Sequence, residues 1–202
     1  HYWIIESLND GFTVTAYAKG LSAIASDEIT IPTVDMTKTL LIGSNAIAST
    51  SCDTGVVYSK CWLKDSTTIR IERTDAANYL VWYCHVVEFQ SNVNVNIQRG
   101  EFSYGAADSQ KQFDIVDVDP ERSMVYCPMR GCGKTNGSWE SHTGGYHRLQ
   151  LIGSGGNIQG NRSTDGSQSV EARWQVIEFL PLPTPEIVSF SGGIKLSNVI
   201  IK

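Results

Sequence analysis

The chain is poor in charge of either sign: its 202 residues hold 16 Lys and Arg against 21 Asp and Glu, for a net charge of -5. Nucleic-acid binding wants a basic face that neutralises phosphates, and nothing here supplies one. Long apolar runs are missing as well. No stretch reaches the roughly 18 residues that a bilayer-spanning helix needs, and His1 to Glu6 show neither the charged nor the apolar region of a secretion signal, so we expect a soluble protein with any export by another route. Helical periodicity is almost absent, which excludes a bundle or coiled coil. No Gly-x-Ser-x-Gly elbow or His-Glu-x-x-His helix occurs, so no catalytic residue is assigned and we expect a non-enzymatic protein without a cofactor. Proline is scarce, with six residues, three of them in Leu180-Pro181-Leu182-Pro183-Thr184-Pro185. That alternation makes a stiff spacer.

Cysteine is present in an odd number, five, at Cys52, Cys61, Cys84, Cys127 and Cys132, in no framework spacing. At least one thiol therefore stays unpaired. Cys52 with Cys61 or Cys127 with Cys132 could pair, but reduced thiols are the expectation for a protein made in a cytoplasm.

What recurs is short runs of Val, Ile, Thr, Tyr and Trp bounded by Gly, Asn, Asp and Ser, the mark of an all-β chain. Strands are expected at Phe12 to Tyr17, Glu28 to Ile31, Thr39 to Ile42, Gly55 to Leu63, Thr67 to Arg73, Tyr79 to Phe89 and Val93 to Arg99. A second series covers Glu101 to Tyr104, Phe113 to Val118, Met124 to Cys127, Tyr146 to Ile152, Asn157 to Arg162 and Val170 to Phe179.

The two series are copies. Cys84-His85-Val86-Val87-Glu88-Phe89 returns as Trp174-Gln175-Val176-Ile177-Glu178-Phe179, each preceded by an Ile-x-x-x-Arg strand, Ile69 to Arg73 and Ile158 to Arg162. Upstream, Val34-Asp35-Met36-Thr37-Lys38-Thr39-Leu40-Leu41 lines up with Val118-Asp119-Pro120-Glu121-Arg122-Ser123-Met124-Val125. The offset grows from 84 at Val34 to 90 at Phe89, as it does when loops gain residues. We therefore expect two tandem, related antiparallel β-sandwich modules, residues 1–90 and 91–180. A third segment, 181–202, would be a Pro-rich spacer and a strand extension whose apolar runs, Ile187 to Phe190 and Ile194 to Ile201, add to a neighbour.

Alternation puts Trp174, Val176 and Glu178 on one face of their strand and Gln175, Ile177 and Phe179 on the other. A carboxylate near a core edge needs a partner, and the arginine closing the preceding strand offers one. Cross-strand pairs Arg73–Glu88 and Arg162–Glu178 are expected. Cys127, Cys132, His142 and His147 form a loose Cys-x4-Cys, His-x4-His series that suits zinc in ligand type, but its spacing favours a solvated loop, and no metal is expected. The Gly-rich loop from Arg130 to Gly145 ends its first part like a phosphate loop, yet Pro128 stands where that pattern needs glycine and no helix follows. Trp139, His142 and Tyr146, set among Gly, Ser, Asn and Thr, are candidates for stacking on a sugar ring or packing against a partner.

The paired motifs, an Ile-x-x-x-Arg strand followed by Trp-Gln-Val-Ile-Glu-Phe or Cys-His-Val-Val-Glu-Phe, with a Val-Asp-x-x-Lys/Arg-Thr/Ser opening, resemble a repeat of structural proteins of tailed-bacteriophage virions. The two copies span roughly Glu28 to Phe179, and the first departs from the pattern at Cys84-His85. The resemblance implies a tail, fibre or capsid-decoration component of the virion, assembled in the host cytoplasm with other virion proteins as partners, and the low charge, tandem sandwiches and apolar C-terminal strands suit a subunit that also assembles with copies of itself, a trimer foremost. It carries no catalytic residues. The second reading is a lectin-like module that attaches to a host-surface glycan through Gly131 to Tyr146.

Overall fold

The computed structural model describes residues 10–47, 59–73, 79–105, 107–127, 147–162 and 170–181, with the backbone alone at 45–47, 147, 162 and 170. Twelve strands follow one another: β1 (Phe12–Leu21), β2 (Ser26–Thr30), β3 (Thr39–Ile47), β4 (Ser59–Asp65), β5 (Thr68–Arg73), β6 (Leu80–Phe89), β7 (Val95–Tyr104), β8 (Gln110–Asp114), β9 (Ser123–Tyr126), β10 (His147–Ile152), β11 (Asn157–Arg162) and β12 (Val170–Phe179). All pairings are antiparallel. The strands form four three-stranded sheets, ordered β1-β6-β3 and β2-β5-β4 from the first half and β7-β12-β9 and β8-β11-β10 from the second. The protein is all-β, two tandem related sandwiches, each with a front sheet (β1-β6-β3 or β7-β12-β9) and a back sheet.

The period-two pattern of the strands explains the layers. In β6, Leu80, Trp82, Cys84 and Val86 point inward and meet Cys61, Leu63, Ile69 and Ile71 of the back sheet in the first core. In β12, Ala172, Trp174 and Val176 do the same against Ile158, Phe113, Leu149 and Leu151 in the second. Burial of such side chains is the main source of stability for a sandwich of this size. The thiols of Cys61 and Cys84 are free and buried, and burial pushes Cys84 up to about 11, which leaves it inert as a nucleophile.

The duplication holds residue by residue. Thr39 lies opposite Glu88 as Ser123 lies opposite Glu178; Phe12 lies opposite Phe89 as Val95 lies opposite Phe179; Cys61 lies opposite Ile71 as Leu149 lies opposite Gly160. Loop bonds repeat too: Ile31 N–H to Thr67 O and Val34 N–H to Ser66 O return as Ile115 N–H to Gly156 O and Val118 N–H to Gly155 O. Bulk has been exchanged inside this shared frame. Trp82 and Cys84 of β6 correspond to Ala172 and Trp174 of β12, so the indole has moved two residues along the same face. Leu21 and Ile71 correspond to Tyr104 and Gly160, where a Cβ on Gly160 would sit 2.1 Å from the tyrosine Oη. Trading volume within a core keeps its packing density.

Two strand expectations need correction. Val93 to Arg99 and Glu101 to Tyr104 are not separate strands but one, β7, running through Gly100. Gly100 is not a break; a Cβ there would lie 2.5 Å from the Trp174 ring directly opposite, so the glycine makes room for the indole. The strand expected at Phe113 to Val118 is displaced to Gln110–Asp114, because Ile115 and Val118 bond to the Gly155-Gly156 turn. The spacer beyond Pro181 and the strands expected at 187–190 and 194–201 lie outside the described residues.

The expected pair of Arg73 with Glu88 is also replaced. These residues sit in different sheets. Arg73 donates from Nε to Ile24 O at 2.9 Å and holds the β1–β2 connection, while Glu88 accepts the backbone N–H of Asp35 at 3.1 Å. In the second module Glu178 accepts the N–H of Asp119 at 2.9 Å; the Arg162 side chain lies outside the described residues. The carboxylate is thus paired with a backbone donor, the opening of its own repeat. The aspartates reached in this way turn the chain into β3 and β9, Asp35 Oδ1 accepting from Thr37 N–H at 2.8 Å and Asp119 Oδ1 from Glu121 N–H at 3.0 Å. Two sequence motifs that recur together are therefore in direct contact. Glu178→Leu, which removes the acceptor, should lower stability by about 0.5–1.5 kcal/mol, and Glu178→Gln, which keeps one, by less. Urea unfolding of both variants checks this; equal losses would contradict the clasp.

Candidate functional site: the seam between the modules

The outer faces of the front sheets carry what distinguishes the modules. On β12 the outward residues are Arg173, Gln175, Ile177 and Phe179, and on β7 they are Val95, Ile97, Arg99 and Glu101. Cross-strand neighbours arrange them in rows: Ile97–Ile177–Met124, Arg99–Gln175–Tyr126 and Glu101–Arg173.

The first row is apolar. With Val95 and Phe179 it meets Leu40, Val87, Phe89 and Phe12 of the first module in a third core that belongs to both. Phe89 stands edge-on to Phe179 and to Phe12, with ring centroids 5.9 and 6.0 Å apart. Such aromatic contacts add to simple area burial.

The second row handles a backbone problem. Among the described strands β3 pairs with β6 alone, so the N–H and C=O groups of every second residue on its other edge have no described strand as partner. Arg99 donates to the carbonyls of Met36 and Thr39. Gln175 presents a peptide-like amide to Leu41, its Oε1 accepting the N–H at 3.0 Å and its Nε2 donating to the C=O at 2.7 Å. The Tyr126 hydroxyl accepts the Gly43 N–H at 3.2 Å and donates to the Gly43 carbonyl at 3.4 Å. One cross-strand row of the second module thus follows the edge of β3 residue by alternate residue, so that β3 runs across the strands it rests on. Gln175 is only 3% exposed. Burial lowers Arg99 to about 10, with Asp35 acting in the opposite direction, and raises Tyr126 to about 12. Both shifts record how dry the seam is.

The third row is charged. Arg173 is paired with Glu101 at 2.7 Å and lies over the Trp62 ring, its guanidinium carbon 4.1 Å from the ring centroid. Lys60 bridges Glu72 at 3.4 Å and Glu171 at 2.5 Å, the latter across the seam, and this holds the Glu171 carboxyl below its ordinary value. Trp62, Leu63, Arg99, Gly100, Arg173, Trp174 and Gln175 line a partly open pocket of about 130 Å³. Ligand pockets for drug-sized molecules run to about 300–1,000 Å³. This pocket is smaller than that.

Of the residues singled out from sequence, Trp139, His142 and Tyr146 lie outside the described residues, as do Cys132 and the side chain of His147. Cys127 is half-buried beside the second core. Among the described residues no cluster of His, Cys, Asp and Glu could hold a metal ion, and no helix is long and apolar enough to cross a membrane. Sequence reasoning missed Arg99, Gln175, Tyr126 and Trp62. The available signal was divergence between the copies, since Arg99, Gln175 and Tyr126 occupy the places of Ala16, His85 and Ile42. No protein-family model matches the chain, and neither a curated protein nor a solved structure shows significant similarity to it.

Gln175→Leu keeps the bulk of the side chain but strands Leu41 N–H and C=O in a buried seam. It should cost about 2–6 kcal/mol, since each of the two orphaned groups costs about 1–3. Denaturant unfolding measures it, and a loss below about 0.5 kcal/mol would show that the amide is not what holds the edge.

Proposed function

We propose that the chain is a structural subunit of a bacteriophage virion, a tail, fibre or capsid-decoration component, that acts by assembling with other virion proteins and with itself. The observation that carries this reading is the seam. The front sheet of the second module is built to receive another module of the same fold, through an apolar row, an edge-capping row and a charged row. That is a surface for joining folded bodies. Two sandwiches joined through such a seam suit a stiff building part of a particle. The motif resemblance supports the same reading, since it implies a subunit of the virion assembled in the host cytoplasm. Attachment to a host glycan, the lectin-like alternative, rests on Trp139, His142 and Tyr146 alone, and no described residue favours it.

Light scattering on the recombinant chain, with and without residues 181–202, tests the assembly reading. A trimer or larger species in the full chain that dissociates on truncation is the expected outcome. A monomer at all concentrations, indifferent to truncation, would contradict it and leave a glycan array as the next experiment.

A further inference from the structure

The outer face of the β1-β6-β3 sheet is the counterpart of the face that carries the seam, and it stands open over most of its area. Its cross-strand rows are Val14–Val87–Leu40, Ala16–His85–Ile42 and Ala18–Tyr83–Ser44. No Asp, Glu, Lys or Arg occurs in these rows. Their lower end, Leu40 and Val87 with Phe12 and Phe89, is already part of the core shared with the second module. Above it, Val14 is 52% exposed, Tyr83 44% and Ile42 38%. Ala16, Ala18 and His85 are exposed beside them. A charge-free, partly aromatic sheet face continuous with an apolar interface is unusual for a surface left in water.

We infer that this face docks on the same face of a second copy of the chain, as a two-fold contact between front sheets. Two observations choose the occupant. The equivalent face of the second module already holds a module of this fold, so the surface is one on which such modules pack. The chemistry at the equivalent positions then decides which part of the second copy is received. Where the second module has Arg99, Gln175 and Tyr126 to satisfy a strand edge, the first has Ala16, His85 and Ile42. Alanine and isoleucine offer no hydrogen bond, so an incoming edge would keep its backbone groups unpaired. The occupant must bring a surface whose backbone is already satisfied, which means a sheet face. Among the described residues the one contiguous exposed apolar sheet face is this one, and having no fixed charge it meets itself without repulsion. Small residues on β1, Ala16 and Ala18, leave space into which the partner's Tyr83 ring fits, the large-to-small complementarity of packed sheets.

This inference rests on the assembly reading and adds the surface through which copies meet. Sedimentation velocity of the full-length chain, wild type against Tyr83→Glu, Tyr83→Lys and Val14→Lys, tests it. These side chains are about half exposed, so the variants should melt with the wild type, which circular dichroism verifies. Wild type should self-associate and each variant should sediment as a smaller species. An equimolar mixture of Tyr83→Glu and Tyr83→Lys should associate again, because in a two-fold contact the acidic face meets the basic one. Association unchanged in the single variants would overturn the proposal; if that association is lost on removing residues 181–202, the assembly reading survives through the tail. Loss in the single variants without recovery in the mixture would overturn the two-fold arrangement. A wild-type monomer at every concentration would overturn both readings.

Discussion

The outer edge of β3 is buried with no described strand to pair with, and the described architecture is arranged around that constraint. Backbone groups cannot be left dry and unpaired, at about 1–3 kcal/mol each. The second module meets the demand with side chains alone, Arg99 at Met36 and Thr39, Gln175 at Leu41 and Tyr126 at Gly43. Because these three residues come from adjacent strands of one sheet, their spacing depends on the pairing of β12 with both β7 and β9. The edge of one module is therefore satisfied only if the other is folded. The same device appears inside the second module, where Gln98 takes both the N–H and the C=O of Val116 at 3.0 and 2.9 Å. In the first module Pro32 stands in the place of Val116 and has no N–H, and Thr15 stands in the place of Gln98, so demand and supply have disappeared together.

Much of the fold was legible because the duplication doubles every signal. Alternating β-branched residues placed the strands, and the paired Val-Asp and Glu-Phe motifs marked equivalent positions whose register the structure reproduces at Thr39–Glu88 and Ser123–Glu178. The role of the glutamate was misread for a definite reason. Arg73 precedes Glu88 across a short turn, so a hairpin partner was the natural inference, but β5 and β6 belong to different sheets of the sandwich. Sequence adjacency says nothing of which layer a strand joins. The glycine at position 100 misled in a similar way: its neighbour in space, Trp174, is 74 residues away in sequence.

The seam was illegible from pattern alone because it depends on differences between the copies rather than on what they share. Gln175 and His85 both read as polar residues on an outward parity. Only the geometry shows that the first is buried against Leu41 and the second is exposed. Divergence of this kind is what a duplicated module needs to become half of a rigid pair: one copy acquires groups that receive an edge, the other keeps an apolar face. The function proposed here, assembly through faces and edges rather than chemistry at a cleft, follows from where that divergence is concentrated.

Native-state hydrogen exchange along β3 tests the central claim most directly. The amides of Leu40 and Ile42 point to β6, while those of Leu41 and Gly43 point to Gln175 and Tyr126. If the second module satisfies the edge, all four exchange at similar, slow rates, limited by opening of the whole front sheet. A saw-tooth profile, with Leu41 and Gly43 exchanging far faster than their neighbours, would show that the edge is open to water and that the two modules are not joined as described.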